Sequence, residues 1–371
     1  MVRYILLPAL LVLLFGQSCI HGDLADCPPM VNYAVAFSYT YHVGDDERFY
    51  DDVKKINLFV FKHDGVDLDT IYVTKTELSP YDRNFNIPLE LPVGTYDMVA
   101  WGNVLDDQPF HITPDQFVQG ETTLAQARLI LEKTAGELND SELEKLFWGE
   151  ITTEIPLHVN KIDTMPLYND TKRIRVVLHW DYRDLPEDQW IDHRNVVVRI
   201  NGTNACYRFH NDREAHDVTY APFHAPYDFH ENDSILKISG DGWQRLYYYA
   251  DDFENDIEAK VYDFSILRFF QGVPLQLSIE HWYPQSNGQY FITPIVAYDI
   301  NDTQQGFPRI YELQRTGGIS NRITSQQTWT DYYDNYRVDI YITQIDFDTF
   351  QTGSIQINDW WKVSGGTDVL R

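Results

Sequence analysis

The sequence predicts an all-β protein built from antiparallel β-sandwiches, with a few short helices. Aromatic residues make up 15% of its 371 residues, and aromatic and β-branched side chains are enriched in strands. Apolar stretches of strand length recur along the chain and are separated by turn-rich connections. This arrangement favours sandwiches over alternating strands and long helices.

The strands are predicted from alternating or continuous apolar runs. The first, VNYAVAFSYTY, places Tyr33, Val35 and Phe37 on one face. The next, INLFVF (56–61), is apolar on both faces and is followed by Asp64-Gly65, a strong turn signal. Further predicted strands are GTYDMVAWG (94–102), RIRVVLHW (173–180), NVVVRI (195–200), LQLSIEHW (275–282), FITPIVAYDI (291–300), YRVDIYITQI (336–345) and SIQINDWWKV (354–363).

Two stretches are predicted to be helical. The first is TTLAQARLILEK (122–133), and the second is SELEKLFWG (141–149), in which Ser141 and Glu144 have the spacing of a capping box and Gly149 is a stop signal. A polar, turn-rich stretch at 163–172 precedes a new series of strands. It predicts a boundary near residue 170. The domains are then 31–170 and 171–371, closely packed because no Gly/Ser linker separates them.

The N-terminus has the features of a bacterial lipoprotein signal. Arg3 precedes an apolar run of twelve residues, 4–15, which is too short to span a bilayer but suits a secretory signal. Small residues before Cys19 suit cleavage at that position. We therefore predict a signal peptide over 1–18 and a segment over 19–30 that carries lipid on Cys19. The alternative is an ordinary signal that is cleaved elsewhere.

Two other cysteines, Cys27 and Cys206, remain in the predicted mature chain. An even pair in an exported protein is consistent with a disulfide. The alternative is two buried free thiols, because cysteine is among the residue types that are most often buried.

Charge and motifs exclude several classes of function. The net charge of −27, without a cluster of basic residues, disfavours binding to nucleic acid. The chain lacks the nucleophile-elbow, P-loop, dinucleotide-binding, zinc-protease and paired-cysteine motifs. The acidic stretches HDGVDLD (63–69) and NDREAHD (211–217) do not have EF-hand spacing and are interpreted as solvated loops. We therefore predict no enzyme, cofactor or metal site.

Three aromatic stretches leave two interpretations open. Exposed aromatic rings can stack on sugars, which would suit a surface glycan-binding lipoprotein, but such rings more often fill sandwich cores. A lipid-anchored hydrolase is a third alternative, and it would require converging carboxylates in a cleft. The stretches are WQRLYYY (243–249), WTDYYDNY (329–336) and DWW (359–361).

The order of several motifs resembles that of the FimB-like anchor lipoproteins in the fimbrillin superfamily of Bacteroidia, and the resemblance covers most of the chain. One departure is Gly22-Asp23, where family members often carry two adjacent acids after the lipidated cysteine. The motifs are DLADCPP (23–29), INLFVF, LPVGTYDMVAWGN (91–103), LFWGE (146–150), RIRVVLHW, YRVDIYI and INDWWKV (357–363).

The resemblance implies two transthyretin-like or immunoglobulin-like Greek-key sandwiches in tandem. It also implies an anchor or minor subunit of a type V pilus, lipid-anchored at the outer membrane, exposed at the surface and bound to fimbrial stalk subunits. In that family, stalk subunits lose an N-terminal strand, and the C-terminal strand of the next subunit fills the groove. This is β-augmentation, in which an open sheet edge gains a ladder of backbone hydrogen bonds.

An anchor that is attached through its N-terminus cannot shed its first strand and stay attached. We therefore expect the chain to keep VNYAVAFSYTY and to act as the strand donor. The candidate donor segment is SIQINDWWKVSGG (354–366), with Ile355, Ile357 and Trp361 as the residues that enter pockets. The alternative is that this segment closes the sheet of its own domain.

Overall fold

The protein folds into stacked β-sheets with few and short helices, which confirms the all-β prediction. A helix long and apolar enough to cross a membrane is not found among the residues that the structure describes. In the computed structural model these residues are 30–63, 69–79, 81–134, 138–156, 160–182, 185–228, 235–239, 242–246, 258–308, 311, 321–346 and 349–359.

The strands are numbered in chain order. The first half contains β1 (Met30–Ser38), β2 (Lys55–His63), β3 (Asp69–Leu78), β4 (Asn86–Pro92), β5 (Gly94–Gly102), β6 (Phe110–Thr113), β7 (Arg128–Leu131), β8 (Leu138–Asn139), β9 (Phe147–Ile155), β10 (Lys161–Pro166) and β11 (Tyr168–Asn169). The second half contains β12 (Thr171–Asp181), β13 (Val196–Gly202), β14 (Cys206–Arg208), β15 (Arg213–Glu214), β16 (Val218–Tyr220), β17 (Tyr227–Asp228), β18 (Ile235–Ser239), β19 (Gly242–Leu246), β20 (Glu258–Leu267), β21 (Gln276–Pro284), β22 (Tyr290–Asp299), β23 (Asn335–Gln344) and β24 (Phe350–Asp359).

In the described part of the chain, two α-helices and three short 3-10 helices with assigned bounds connect these strands. Ser325 caps the longer α-helix, since its side chain accepts a hydrogen bond from the backbone N–H of Thr328. The α-helices are α1 (Phe49–Asp52) and α2 (Gln326–Tyr332), and the 3-10 helices are Leu124–Gln126, Glu187–Gln189 and His193–Asn195.

Both helices predicted from the sequence are wrong. The stretch 122–133 forms one 3-10 turn and then β7, in which Leu129 and Leu131 alternate into the core. The stretch 141–149 has no helix. It runs without regular structure to residue 146, buries Leu143 and Leu146, and then enters β9. In both places pairing with neighbouring strands and burial override the local helix propensity.

The first sandwich packs a three-stranded sheet, β10-β1-β4, against a five-stranded sheet, β11-β9-β5-β2-β3. Strand β1 is the central strand of the smaller sheet, antiparallel to β4 and parallel to β10. Alternate side chains of both sheets meet in one hydrophobic core. That core includes Val35, Leu58, Leu89, Met98 and Phe147.

A third sheet, β15-β14-β7-β6, covers the other face of this five-stranded sheet. Trp101 of β5 stacks on Tyr207 of β14 there, with ring centroids 6.3 Å apart. Strands β6 and β7 precede residue 170 and β14 and β15 follow it, so both halves of the chain build this sheet. The division into domains at 31–170 and 171–371 therefore stays a prediction.

The second sandwich packs the sheet β17-β20-β12-β23-β24 against the sheet β22-β21-β13-β16-β8. Strand β12 lies at the centre of the first sheet, antiparallel to β20 and parallel to β23. Its residues Ile174, Val176, Leu178 and Trp180 point into the core. Strand β24 lies at the edge of this sheet and pairs with β23 alone among the described strands.

Candidate functional site

The first candidate site is the groove between β4 and β10, which β1 fills. Tyr33, Val35 and Phe37 of β1 are buried in the core of the first sandwich. Phe37 stacks on Phe49 of α1, with ring centroids 5.6 Å apart. The backbone of β1 pairs with both neighbours, Val35 lying opposite Ile87 on one side and Asp163 on the other. The groove is therefore complete without a strand from another chain.

Polar side chains on β9 and β10 also hold β1 in the groove through hydrogen bonds. The Tyr33 hydroxyl donates to Asp163 Oδ2 at 2.8 Å, and Thr153 Oγ1 donates to the same oxygen at 2.7 Å. Burial and the Asp163 carboxylate raise the pKa of Tyr33, so the phenol stays a donor. Burial opposes ionisation of Asp163, but hydrogen bonds from Lys161, Thr153 and Tyr33 outweigh it and lower the pKa of Asp163.

The second candidate site is β24, which contains two of the three predicted donor residues. Ile355 lies opposite Ile340, and Ile357 opposite Val338. Both isoleucines are half-buried against the core of the second sandwich. In this structure the described part of the segment, which ends at residue 359, pairs with β23 and extends the sheet of the second sandwich, the alternative that the sequence left open. Trp361 lies outside the described residues.

The first residues of β24 contact the opposite sheet of the second sandwich, β22-β21-β13-β16-β8. Thr352 Oγ1 donates to the Ile295 carbonyl of β22 at 3.1 Å. The ring of Phe350 meets Trp180 and His281 edge-on, at centroid distances of 6.1 and 5.7 Å. These contacts involve the first residues of the strand, whereas Ile355 and Ile357 are held by the ladder to β23 and by apolar packing.

The structure describes one of the three cysteines. Cys206 is buried on β14, and burial and the nearby Glu214 carboxylate raise the pKa of its thiol to about 11. Cys19 and Cys27 lie outside the described residues. Lipidation at Cys19 and a disulfide between Cys27 and Cys206 therefore stay predictions.

The aromatic stretch at 329–336 fills the core. Its four aromatic side chains, Trp329, Tyr332, Tyr333 and Tyr336, are all buried. Residues 247–249, 360 and 361 of the other two predicted stretches lie outside the described part of the chain.

Among the residues whose exposure the structure describes, the strongly exposed aromatic side chains lie instead on the hairpin of β21 and β22. Tyr290 is 55% exposed and Phe291 is 51% exposed, and Tyr283 lies opposite Phe291 in the ladder. On the other face of the hairpin, Trp282 lies 5.8 Å from Tyr290, and the Arg199 guanidinium lies 4.9 Å from the Trp282 ring. Sequence reasoning missed this surface because both strands have the apolar pattern of buried strands.

These features define an all-β sandwich protein with a filled first-strand groove and, among the described strands, an edge position for β24. The family model for fimbrillin-A associated anchor proteins Mfa1 and Mfa2 matches residues 24–364. The chain therefore belongs to this family, which confirms the resemblance to fimbrial anchor proteins. Membership makes it a fimbria-associated protein of the cell surface, a kind of protein that is structural rather than catalytic.

Solved structures show the same fold. A candidate polysaccharide-binding protein from Bacteroides thetaiotaomicron VPI-5482 is 18% identical with a TM-score of 0.62, over 89% of this chain and 96% of that one. A candidate adhesin from the same organism is 18% identical with a TM-score of 0.61, over 91% and 98%. The fimbrial anchor protein Mfa2 from Porphyromonas gingivalis is 16% identical with a TM-score of 0.59, over 90% and 98%. The search of curated proteins finds no match.

Proposed function

We propose that this chain anchors a fimbria to the outer membrane. Lipid on Cys19 holds the N-terminus, and the C-terminal strand segment joins a fimbrial stalk subunit. The observation that carries the proposal is the filled groove, because β1 buries Val35 and Phe37 in the chain's own first sandwich. A subunit with that groove filled has no need of a strand from a neighbour there.

The filled groove also fits attachment through the N-terminus. Ten residues, 20–29, separate Cys19 from Met30, the first residue of β1, so the two Cα atoms are eleven residue steps apart. An extended segment of that length reaches at most about 40 Å. The first sandwich would therefore stay within that distance of the membrane surface, and cleavage before β1 would release the protein.

The C-terminal strand has the properties of a donor. Strand β24 is an edge strand in the described part of the sheet, so its release breaks one described ladder, the one to β23. Ile357 follows Ile355 by two residues and Trp361 follows Ile357 by four, and these even spacings place all three on one face of an extended strand. In a receiving groove these side chains would fill pockets while the backbone forms a new ladder. Donation competes with closure of the chain's own sheet, so the receiving groove must replace the contacts to β23.

A reversible lock on β24 tests this role. Val338 and Ile357 lie opposite each other in the ladder. Opposed residues of antiparallel strands have Cα atoms about 4.5–5.5 Å apart, within the range of a disulfide. With Cys19, Cys27 and Cys206 all replaced by serine, the double variant Val338→Cys, Ile357→Cys should not bind a purified stalk fimbrillin of the same organism when oxidised. Binding should return on reduction.

The control for the lock is Val338→Cys alone, which should bind equally under both conditions. Circular dichroism of each form shows that the second sandwich stays folded. Equal binding by the oxidised and reduced double variant would rule out donation by β24.

A second candidate function is glycan binding, which the exposed aromatic hairpin of β21 and β22 favours. Aromatic contacts contribute about 0.5–1.5 kcal/mol each. Tyr283 and Phe291 lie opposite each other on one face of the hairpin and are both exposed. The double variant Tyr283→Ala, Phe291→Ala should therefore weaken saturable binding to polysaccharides on a carbohydrate array about fivefold or more. Leu78→Ala, at an exposed apolar residue on β3, is the matched control. The absence of saturable binding by the parent chain would remove this candidate.

A further inference from the structure

Three potential metal ligands lie close together on the sheet β15-β14-β7-β6, which both halves of the chain build. Cys206 of β14 lies directly opposite Glu214 of β15, so the two side chains leave the same face. His216 follows two residues after Glu214 in extended chain, its N–H donating to the Thr203 carbonyl and its carbonyl accepting from Ala205 N–H. The ligand atoms of Cys206, Glu214 and His216 all lie within 4.8 Å of one another.

The Glu214 carboxylate is already oriented for this arrangement. Its Oε2 accepts a hydrogen bond from Arg128 Nε at 2.6 Å, and its Oε1 lies 3.8 Å from His216 Nε2. A tetrahedral zinc ion with sulfur, nitrogen and oxygen ligands separates those ligand atoms by about 3.3–3.6 Å. Small side-chain movements would therefore complete the geometry. Arg128 would act as the outer partner that fixes a ligating carboxylate.

Burial is graded across the cluster. Cys206 is 1% exposed at the base, whereas the side chains of Glu214 and His216 are each 42% exposed. A cation can enter from the exposed side, and water can take the position that faces solvent. The thiol would lose its proton on binding, as metal-ligating cysteines do.

We propose that Cys206, Glu214 and His216 bind a divalent cation of the zinc type, with water as the fourth ligand. Thiolate, imidazole and carboxylate are the ligands that zinc takes in proteins, and a thiolate disfavours calcium and magnesium. The bound ion would cross-link β14 to the segment that follows β15. The same sulfur cannot also form the predicted disulfide with Cys27, so the site belongs to the chain in which Cys206 is reduced.

The test uses the full mature chain with Cys19→Ser and Cys27→Ser, so that Cys206 is its only thiol. Titration with Co²⁺ should give one ion per chain, a cobalt–thiolate charge-transfer band and tetrahedral ligand-field bands, all displaced by Zn²⁺. Zn²⁺ should also raise the unfolding midpoint, because an ion that binds only the folded state stabilises it.

Two variants and one control test whether Co²⁺ binds at Cys206 and His216 rather than elsewhere on the chain. Cys206→Ser should abolish the charge-transfer band, and His216→Ala should weaken Co²⁺ binding by more than about tenfold. His111→Ala changes a half-exposed histidine on β6 of the same sheet, so it should leave binding unchanged. Absence of the thiolate band at saturating Co²⁺, or an unchanged affinity in His216→Ala, would overturn the proposal.

Discussion

Val35→Asp is expected to unfold the first sandwich, with a loss of about 4 kcal/mol in the free energy of unfolding. Val35 is fully buried at the centre of β1, between β4 and β10, and its side chain lies in an apolar core. A carboxylate there would have to be buried without a partner or be protonated at a cost. Urea unfolding, followed by circular dichroism, measures the loss.

The matched control is Asn32→Asp, which adds the same charge at an exposed residue of the same strand. It should change the free energy of unfolding by no more than about 0.5 kcal/mol. If Val35→Asp were as stable as this control, β1 would not occupy the groove. The proposal that the chain completes its own first sandwich would then fail.

Gly149→Ala is expected to destabilise the protein by about 2–3 kcal/mol. Gly149 lies in β9, within the motif LFWGE, and an added Cβ would lie 2.6 Å from the Pro166 carbonyl oxygen and 2.7 Å from Leu167 Cδ2. The backbone of the β10–β11 connection therefore passes too close for any side chain. Gly149 is a close-approach residue in a strand, so its interpretation as a helix stop signal is wrong.

Elsewhere in a strand, replacing glycine by alanine is expected to stabilise by about 0.5–1 kcal/mol, because glycine loses more backbone entropy on folding. The sign of the change in the free energy of unfolding therefore shows whether the Pro166 backbone lies too close to Gly149 for a side chain. Glu154→Ala, at an exposed residue of β9, serves as the control and should be nearly neutral. A gain in the thermal midpoint for Gly149→Ala would contradict the close approach.

Strands with a clear period of two could be predicted from sequence, but their long-range partners could not. In RIRVVLHW, the alternation places Ile174 and Val176 in the core as expected. Arg175 lies on the other face and is equally buried, where its guanidinium donates two hydrogen bonds to Asp263, 88 residues away. Burial opposes ionisation of Asp263, but hydrogen bonds and charges from His224 and Arg175 lower its pKa. A one-dimensional pattern does not contain such pairs.

The wrongly predicted helix at 141–149 shows a second reason why sequence patterns mislead. Leu143 and Leu146 are three residues apart, which suits a helix face, but an extended loop over the core also buries both. The backbone N–H of Leu143 donates to Ser265 Oγ on β20, a partner that exists only in the folded chain. Tertiary hydrogen bonds of this kind decide between the two conformations.

Only part of each candidate site could be predicted from the sequence. The sequence identified the C-terminal segment and left open whether it is donated or closes its own sheet, since an edge position depends on the order of strands. The alternation of Glu214 and His216 was present in NDREAHD, which we interpreted as a solvated loop. Its third partner, Cys206, joins them only when β14 pairs with β15.

We propose that lipid on Cys19 holds this member of the fimbrial anchor family at the outer membrane. The most direct test is the intact mass of the protein purified from its native outer membrane. The proposal predicts a chain that begins at Cys19 and carries the added mass of its acyl chains. An unacylated chain with another first residue would contradict it and would favour a secreted stalk or tip subunit instead.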